Sequence, residues 1–169
     1  MLRVIDIFKT NDVVIEYDDY IPFIVRFPEV TGFPPFYWRC GDFENSLFEM
    51  GFHNETHAIS KVSLVIYPKR FTTLESEPMS DSNIIEEGIP IIDADRWEDK
   101  TRIDENINFR VLQSNDSIFV MLSDDKIERQ VSIKNISFGI NSNKEISIFA
   151  IRKLDLDVMN NIQKALGIY

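Results

Sequence analysis

The sequence predicts a mainly β or α+β fold: antiparallel β meanders in one domain, closed by a C-terminal amphipathic helix. Three observations predict it. Isoleucine occurs 24 times and alanine 4 times, a balance that favours β-branched strands over alanine-rich helices. Several segments alternate apolar and polar residues, the period of a half-buried strand. Only after residue 155 does the spacing become helical. A length of 169 residues suits a single domain spanning 1–169, large enough to bury roughly 70% of its unfolded surface without a metal or disulfide.

Taken in order, strands are expected at Leu2–Phe8, Val13–Tyr17, Pro22–Phe27 and Tyr37–Cys40. Ser46–Tyr67 reads as a hairpin. Phe48, Met50 and Phe52 alternate on one arm and Val62, Leu64 and Ile66 on the other, with His53–His57 forming the turn. From Asn106 the pattern is a meander, with strands near Phe109–Gln113, Ser117–Leu122, Ile127–Ile133, Ile136–Ile140 and Ile146–Arg152. The linkers between them are rich in Ser, Asn and Asp, whose short side chains hydrogen-bond their own backbone in turns. At the end, Asp155 suits an N-cap and Gly167 a C′ position. Between them Val158, Met159, Ile162, Ala165 and Leu166 form one apolar stripe that should pack on the preceding sheet.

Local matches suggest an internal duplication, with related halves at 13–70 and 84–152, against the more economical account that strands of similar composition match by chance. Ser46–Met50 resembles Ser117–Met121, and Ile59–Ile66 resembles Ile133–Ile140. The offsets between such matches rise steadily along the chain, as an alignment with small insertions requires.

The formal charge is −10, and it is not evenly spread. From Glu75 to Glu105, 11 acids face 3 bases, leaving −8, whereas residues 106–169 carry 7 acids and 8 bases. This balance argues against non-specific nucleic-acid binding, which needs Lys and Arg to neutralise phosphates, so no nucleic-acid partner is expected. A localised negative segment instead steers a basic protein. Met1–Phe8 is too short and too charged for a signal peptide. No apolar run approaches a membrane span, so no membrane association is expected. The lone Cys40 points to a reducing, cytoplasmic location.

The chemistry available is sparse. Walker, dinucleotide-binding, nucleophile-elbow and paired-Cys motifs are all missing, and no cofactor is expected. Asp93-Ala-Asp95-Arg-Trp97-Glu98-Asp99 has carboxylates at alternate positions, but Glu98 stands where a calcium loop needs glycine. His53 and His57 could face one another across a turn, with Glu55, Asp42 or Cys40 completing a metal shell, although the spacing matches no zinc signature. Cys40 beside a histidine invites a thiol-nucleophile reading, so a small β-rich enzyme or ligand-binding domain around Cys40, Asp42, His53 and His57 is the alternative. The run Phe33-Pro-Pro-Phe-Tyr-Trp38 should plug one end of the core, or, if exposed, form a binding patch or hold a homo-oligomer together.

The leading expectation is a non-enzymatic, acidic protein-binding module. Its partner-binding residues would be Glu86, Glu87, Asp93, Asp95, Glu98 and Asp99, with Trp97 as an exposed anchor. In charge, size and poverty of motifs the chain is similar in general character to bacterial immunity proteins, which neutralise cationic toxins such as nucleases by covering their active sites. That analogy rests on no aligned motif and implies a basic toxin as the partner; the oligomeric state stays open.

Overall fold

Two β-sheets packed face to face hold most of the apolar side chains between them. The computed structural model describes the chain except for residues 18–19, 33–34, 68–71, 75–76, 80–83, 98–99 and 168–169. The first half contributes β1 (Val4–Phe8), β2 (Val14–Glu16), β3 (Phe23–Arg26), β4 (Phe36–Cys40), β5 (Leu47–Phe52) and β6 (Ile59–Ile66). Short strands β7 (Thr72–Thr73), β8 (Ile84–Glu87), β9 (Ile89–Ile92) and β10 (Arg102–Glu105) follow. The remainder is β11 (Arg110–Gln113), β12 (Ile118–Met121), β13 (Ile127–Ile133), β14 (Ile136–Asn141), β15 (Ile146–Ile151) and helix α1 (Leu156–Ala165).

The six-stranded sheet runs β10-β4-β5-β6-β3-β2, the seven-stranded sheet β7-β11-β12-β15-β14-β13-β8, and β1 pairs with β9 alone. Rings meet across the gap. Phe149 of β15 lies 5.9 Å from Phe23 of β3 and 6.0 Å from Phe48 of β5, and Phe27 lies 6.4 Å from Phe138 of β14. Alternation explains which residues point there: Phe48, Met50 and Phe52 are buried on one arm of the β5–β6 hairpin, Val62 and Leu64 on the other. That hairpin is antiparallel, as the alternation predicts. Helix α1 starts after Asp155, whose side chain makes no capping hydrogen bond, and ends before Gly167 at φ 71°. Its Met159 and Ile162 join the inter-sheet core. No helix among the described residues is long and apolar enough to cross a membrane.

Three features depart from the sequence reading. The C-terminal strands are not a simple meander, because β15 inserts between β12 and β14. The acidic stretch Glu75–Glu105, where the sequence reading assigns no individual strand, contains β8 to β10, and β7 lies just before it. Three of these add parallel edges: β7 to β11, β8 to β13 and β10 to β4. The β10 edge is fastened by Arg39, which donates from Nε and Nη2 to the two carboxylate oxygens of Asp104, each at 2.8 Å. The duplication suggested by local matches is not confirmed, since those matches join strands in different positions: Ser46–Met50 falls on β5 but Ser117–Met121 on β12. What the two sheets share is a strand order. In each, five consecutive antiparallel strands lie as first, second, fifth, fourth, third: β2-β3-β6-β5-β4 and β11-β12-β15-β14-β13.

Candidate functional site

At one end of the sandwich, three segments distant in sequence come together: β1, the β5–β6 turn, and the stretch that follows β9. Pairing causes this. Ile92 lies opposite Val4, Ala58 forms a bridge with Ile91, the Ile92 amide donates to the His57 carbonyl (3.0 Å) and the Asp93 amide to the Arg3 carbonyl (2.8 Å). Asp93 then accepts from the Asp95 amide (3.2 Å), and a single 3-10 turn at Asp95–Trp97 drops Trp97 inward.

Trp97 is only 3% exposed. Its ring meets Phe52 edge-on at 5.7 Å, and its indole N–H donates to the Tyr37 carbonyl at 3.3 Å. This corrects the expectation of an exposed anchor: the indole is held by the core and acts as a wall. On one side lies a hollow of about 310 Å³ edged by Asp93, Asp95, Glu105 and Glu145, with Arg3 and Met1, whose amino group pairs with Glu105 at 2.6 Å. On the other lies a hollow of about 360 Å³ with Asp93 and Asp95 again at its rim, and with Phe36 and His57. The His57 ring stacks on Phe36 at 6.3 Å. The two carboxylates therefore stand between two concavities, Asp95 exposed and Asp93 half-buried.

The other proposed partner-binding residues are elsewhere. Glu86 and Glu87 lie on edge strand β8, separated from Asp93 by the Gly88 corner and the whole of β9. Glu86 is engaged by Arg129 Nε at 3.2 Å, and the Glu87 carbonyl accepts from Lys9 Nζ at 2.6 Å. Glu98 and Asp99 fall outside the described residues, as do Phe33 and Pro34 of the aromatic run. The rest of that run divides, with Trp38 fully buried and Phe36 and Tyr37 partly so.

The thiol-nucleophile alternative is not assembled. Cys40 ends β4 opposite Phe48, whereas the histidine turn follows Phe52, opposite Phe36 at the other end of the strand, again a separation of roughly 13 Å at strand rise. Cys40 is fully buried, and burial, with Glu105 beside it, pushes its thiol far above the usual range. Such a group is packing, not a nucleophile. His53 is a turn cap: its Nδ1 accepts from the amides of Glu55 (3.1 Å) and Thr56 (3.2 Å). Its ring lies against Gly32, 2.6 Å from where a Cβ would stand there, while His57 turns to Phe36. Among the described residues no three His, Cys, Asp or Glu are grouped to hold a metal ion.

Asp42 has a structural task of its own. Its carboxylate accepts from the amides of Asn45 (2.7 Å), Ser46 (2.8 Å) and Glu44 (3.1 Å), closing the β4–β5 turn. The Asn45 amide, then that of Ser46, lowers its pKa from 3.8 to about 2. Depression on folding means that ionised Asp42 favours the fold; its contribution is complete above the unfolded value and disappears as pH falls through about 2. Asp42→Ala should thus melt below wild type at pH 6, with the gap closing between about pH 4 and 2. A gap that persists unchanged into acid would contradict this role.

Sequence reasoning missed Phe36, Glu105 and Glu145 as neighbours of Asp93, and placed His57 in a rival site. No local signal marks them, because they meet only through the pairing of β1 with β9 and the bridge between Arg3 and Glu145. The chain matches no model of a known protein family, and no curated protein is significantly similar to it.

Proposed function

We propose that the chain is a non-enzymatic protein-binding module, and that the rim formed by Asp93 and Asp95 receives a basic protein partner. The observation that carries this reading is the position of both carboxylates between two hollows, one of which also has Glu105 and Glu145 at its edge. A nuclease-type toxin neutralised by an immunity protein is the partner that the charge suits best, since a protein that grips nucleic acid must be basic and an acidic inhibitor competes for that surface. A cytoplasmic location goes with this reading and with Cys40 held as a thiol.

The test begins with a toxin-like gene beside this one, or a protein captured from the native host on immobilised chain. That partner is titrated against wild type and Asp93→Lys/Asp95→Lys. The double variant should bind about tenfold more weakly or worse, and its affinity should depend less on salt. Unchanged affinity and salt dependence would refute the reading. A second reading, a homo-oligomer joined at a sheet edge, draws support from β8, where Ile84 and Ile85 are 54% and 67% exposed. Sedimentation mass at two concentrations decides it.

A further inference from the structure

Of the two hollows flanking Trp97, only one lacks a cation among the described residues. The hollow of about 310 Å³ already holds Arg3 and the Met1 amino group, which pairs with Glu105 at 2.6 Å. The hollow of about 360 Å³ has no lysine or arginine in its described lining, yet Asp93 and Asp95 both reach its rim. Asp93 accepts from the Asp95 amide, and neither carboxylate forms an ion pair among the described residues. Two negative charges thus stand at one edge of a concavity without a counter-ion.

Two irregular backbone positions bring side chains to that hollow. A bulge in the β1–β9 pairing leaves Ile5 without an opposite residue, since Val4 lies opposite Ile92 and Asp6 opposite Ile91. Ile5 is consequently 58% exposed beside the buried Val4. A bulge re-aims a side chain in this way, and bulges concentrate beside functional sites. His57, at the end of the β5–β6 turn, takes a left-handed φ of 57°, a costly conformation of the kind that clusters at ligand sites. Its carbonyl accepts from the Ile92 amide at 3.0 Å, while its ring lies against Phe36 with the two planes 23° apart.

The hollow therefore has an aromatic floor and an acidic rim. Phe36, His57, Ala94 and Trp97 form the floor, and beneath them Phe52 and Ile92 close a crevice too narrow for water. A group seated there must offer apolar faces to rings and carry its charged donors at its edge. Guanidinium has that form: it is weakly hydrated, stacks on aromatic faces and directs its N–H groups in plane onto carboxylates. An ammonium is a compact, strongly hydrated point charge, and an apolar floor replaces none of the water it would lose. At the mouth, Ile5 suits the methylene stem of an arginine, which covers apolar surface while its head stays polar.

Given the Asp93–Asp95 rim as the partner surface, on which this inference rests, we propose that the Phe36–His57 hollow anchors a single arginine side chain of the basic partner. The guanidinium face lies on the ring pair and its edge meets Asp93 and Asp95.

The probe is acetyl-arginine-amide, titrated at low salt into the isotope-labelled full chain and followed by NMR. Shifts should gather at Ile5, Phe36, His57, Ala94 and the Trp97 indole N–H. Acetyl-lysine-amide should move these signals less, and acetyl-citrulline-amide, planar but neutral, hardly at all. Phe36→Leu should weaken the arginine probe roughly two- to fivefold, the scale of an exposed cation–π contact, and affect the lysine probe less. Asp93→Asn/Asp95→Asn, which keeps shape and removes charge, should abolish the shifts. Absence of shifts, shifts at Arg3 and Glu145 instead, or an equal response to lysine and arginine would overturn the proposal. A probe that fails while Asp93→Lys/Asp95→Lys still loses the partner would refute the arginine anchor alone. A probe that binds as expected, with a partner indifferent to that variant, would refute the rim as partner surface and leave the arginine site standing.

Discussion

Replacing Trp97 with alanine is expected to destabilise the protein by about 3–5 kcal/mol, the range for truncating a buried Phe or Trp. For a chain of this length that lowers Tm by roughly 2–4 °C per kcal/mol. Three losses add up: the buried indole area, the edge-on contact with Phe52 at 5.7 Å, and the N–H donated to the Tyr37 carbonyl. Thermal unfolding measures the total, and a fall under about 1 kcal/mol would mean that the indole is not a core residue. Trp97→Phe separates the components, because it keeps most of the apolar volume and removes only the hydrogen bond, for which about 1 kcal/mol is expected. The functional consequence is distinct. Removing the wall joins two hollows but leaves Asp93 and Asp95 charged, so partner affinity should fall at low temperature while its salt dependence stays. Charge reversal at the rim should do the converse and flatten the salt dependence. A Trp97→Ala variant with wild-type affinity would show that the hollows take no part in binding.

Trp97 also shows where reading the sequence stops. An aromatic residue between Asp95 and Glu98 looks like a solvated anchor, because charge density reports a segment's average and not the direction of one side chain. Its burial follows from a 3-10 turn placed by β9, and β9 itself is legible only once β1 is known to pair with it. Where the partner strand is near in sequence, alternation sufficed: the β5–β6 hairpin and strands β11 to β15 were all readable as strands, and α1 from its spacing between Asp155 and Gly167. Where the partner is far, it did not. β10 pairs in parallel with β4 and β8 with β13, connections that require long crossovers, and β8 lies so far out at its sheet edge that two adjacent isoleucines remain exposed. The same gap explains why the matches that suggested a duplication do not hold. Half-buried strands resemble one another whichever position they hold, so local matches joined the fourth strand of one sheet to the second of the other. For the site, Asp93 and Asp95 could be selected from charge, but His57, Glu105 and Glu145 could be attached to them only by topology.

Gly88→Ala should be among the most disruptive single substitutions, because this buried glycine sits at the corner that sets the same β1–β9 pairing. Gly88 has φ 133°, a backbone conformation that side chains make unfavourable, and its strain alone is worth about 1–3 kcal/mol. The added Cβ would also lie 2.5 Å from the Phe8 carbonyl oxygen and 2.6 Å from Ile7 Cγ2. The isoleucine methyl can rotate aside, but the carbonyl belongs to β1, which can yield only by moving off β9, where Phe8 lies opposite Ile89. Nor can Gly88 withdraw the other way, since its amide donates to the Ser132 carbonyl at 2.9 Å and ties the corner to β13. A total loss of about 3 kcal/mol or more is expected, equivalent to roughly 6–12 °C in Tm. Hydrogen exchange should show where it falls: amides of β1 and β9 should lose protection first, while those of β5, β6, β14 and β15 keep it until global unfolding. The far end of β9 carries Asp93, whose amide is held by the Arg3 carbonyl, so rim geometry should loosen together with the strand pair. Gly51→Ala is the control, because it adds the same methyl to a strand with ordinary φ and no backbone atom in its path. Equal melting temperatures for the two variants would mean that the β8–β9 corner does not bind β1 to the sandwich, and that the Asp93–Asp95 rim is positioned by something other than this strand pair.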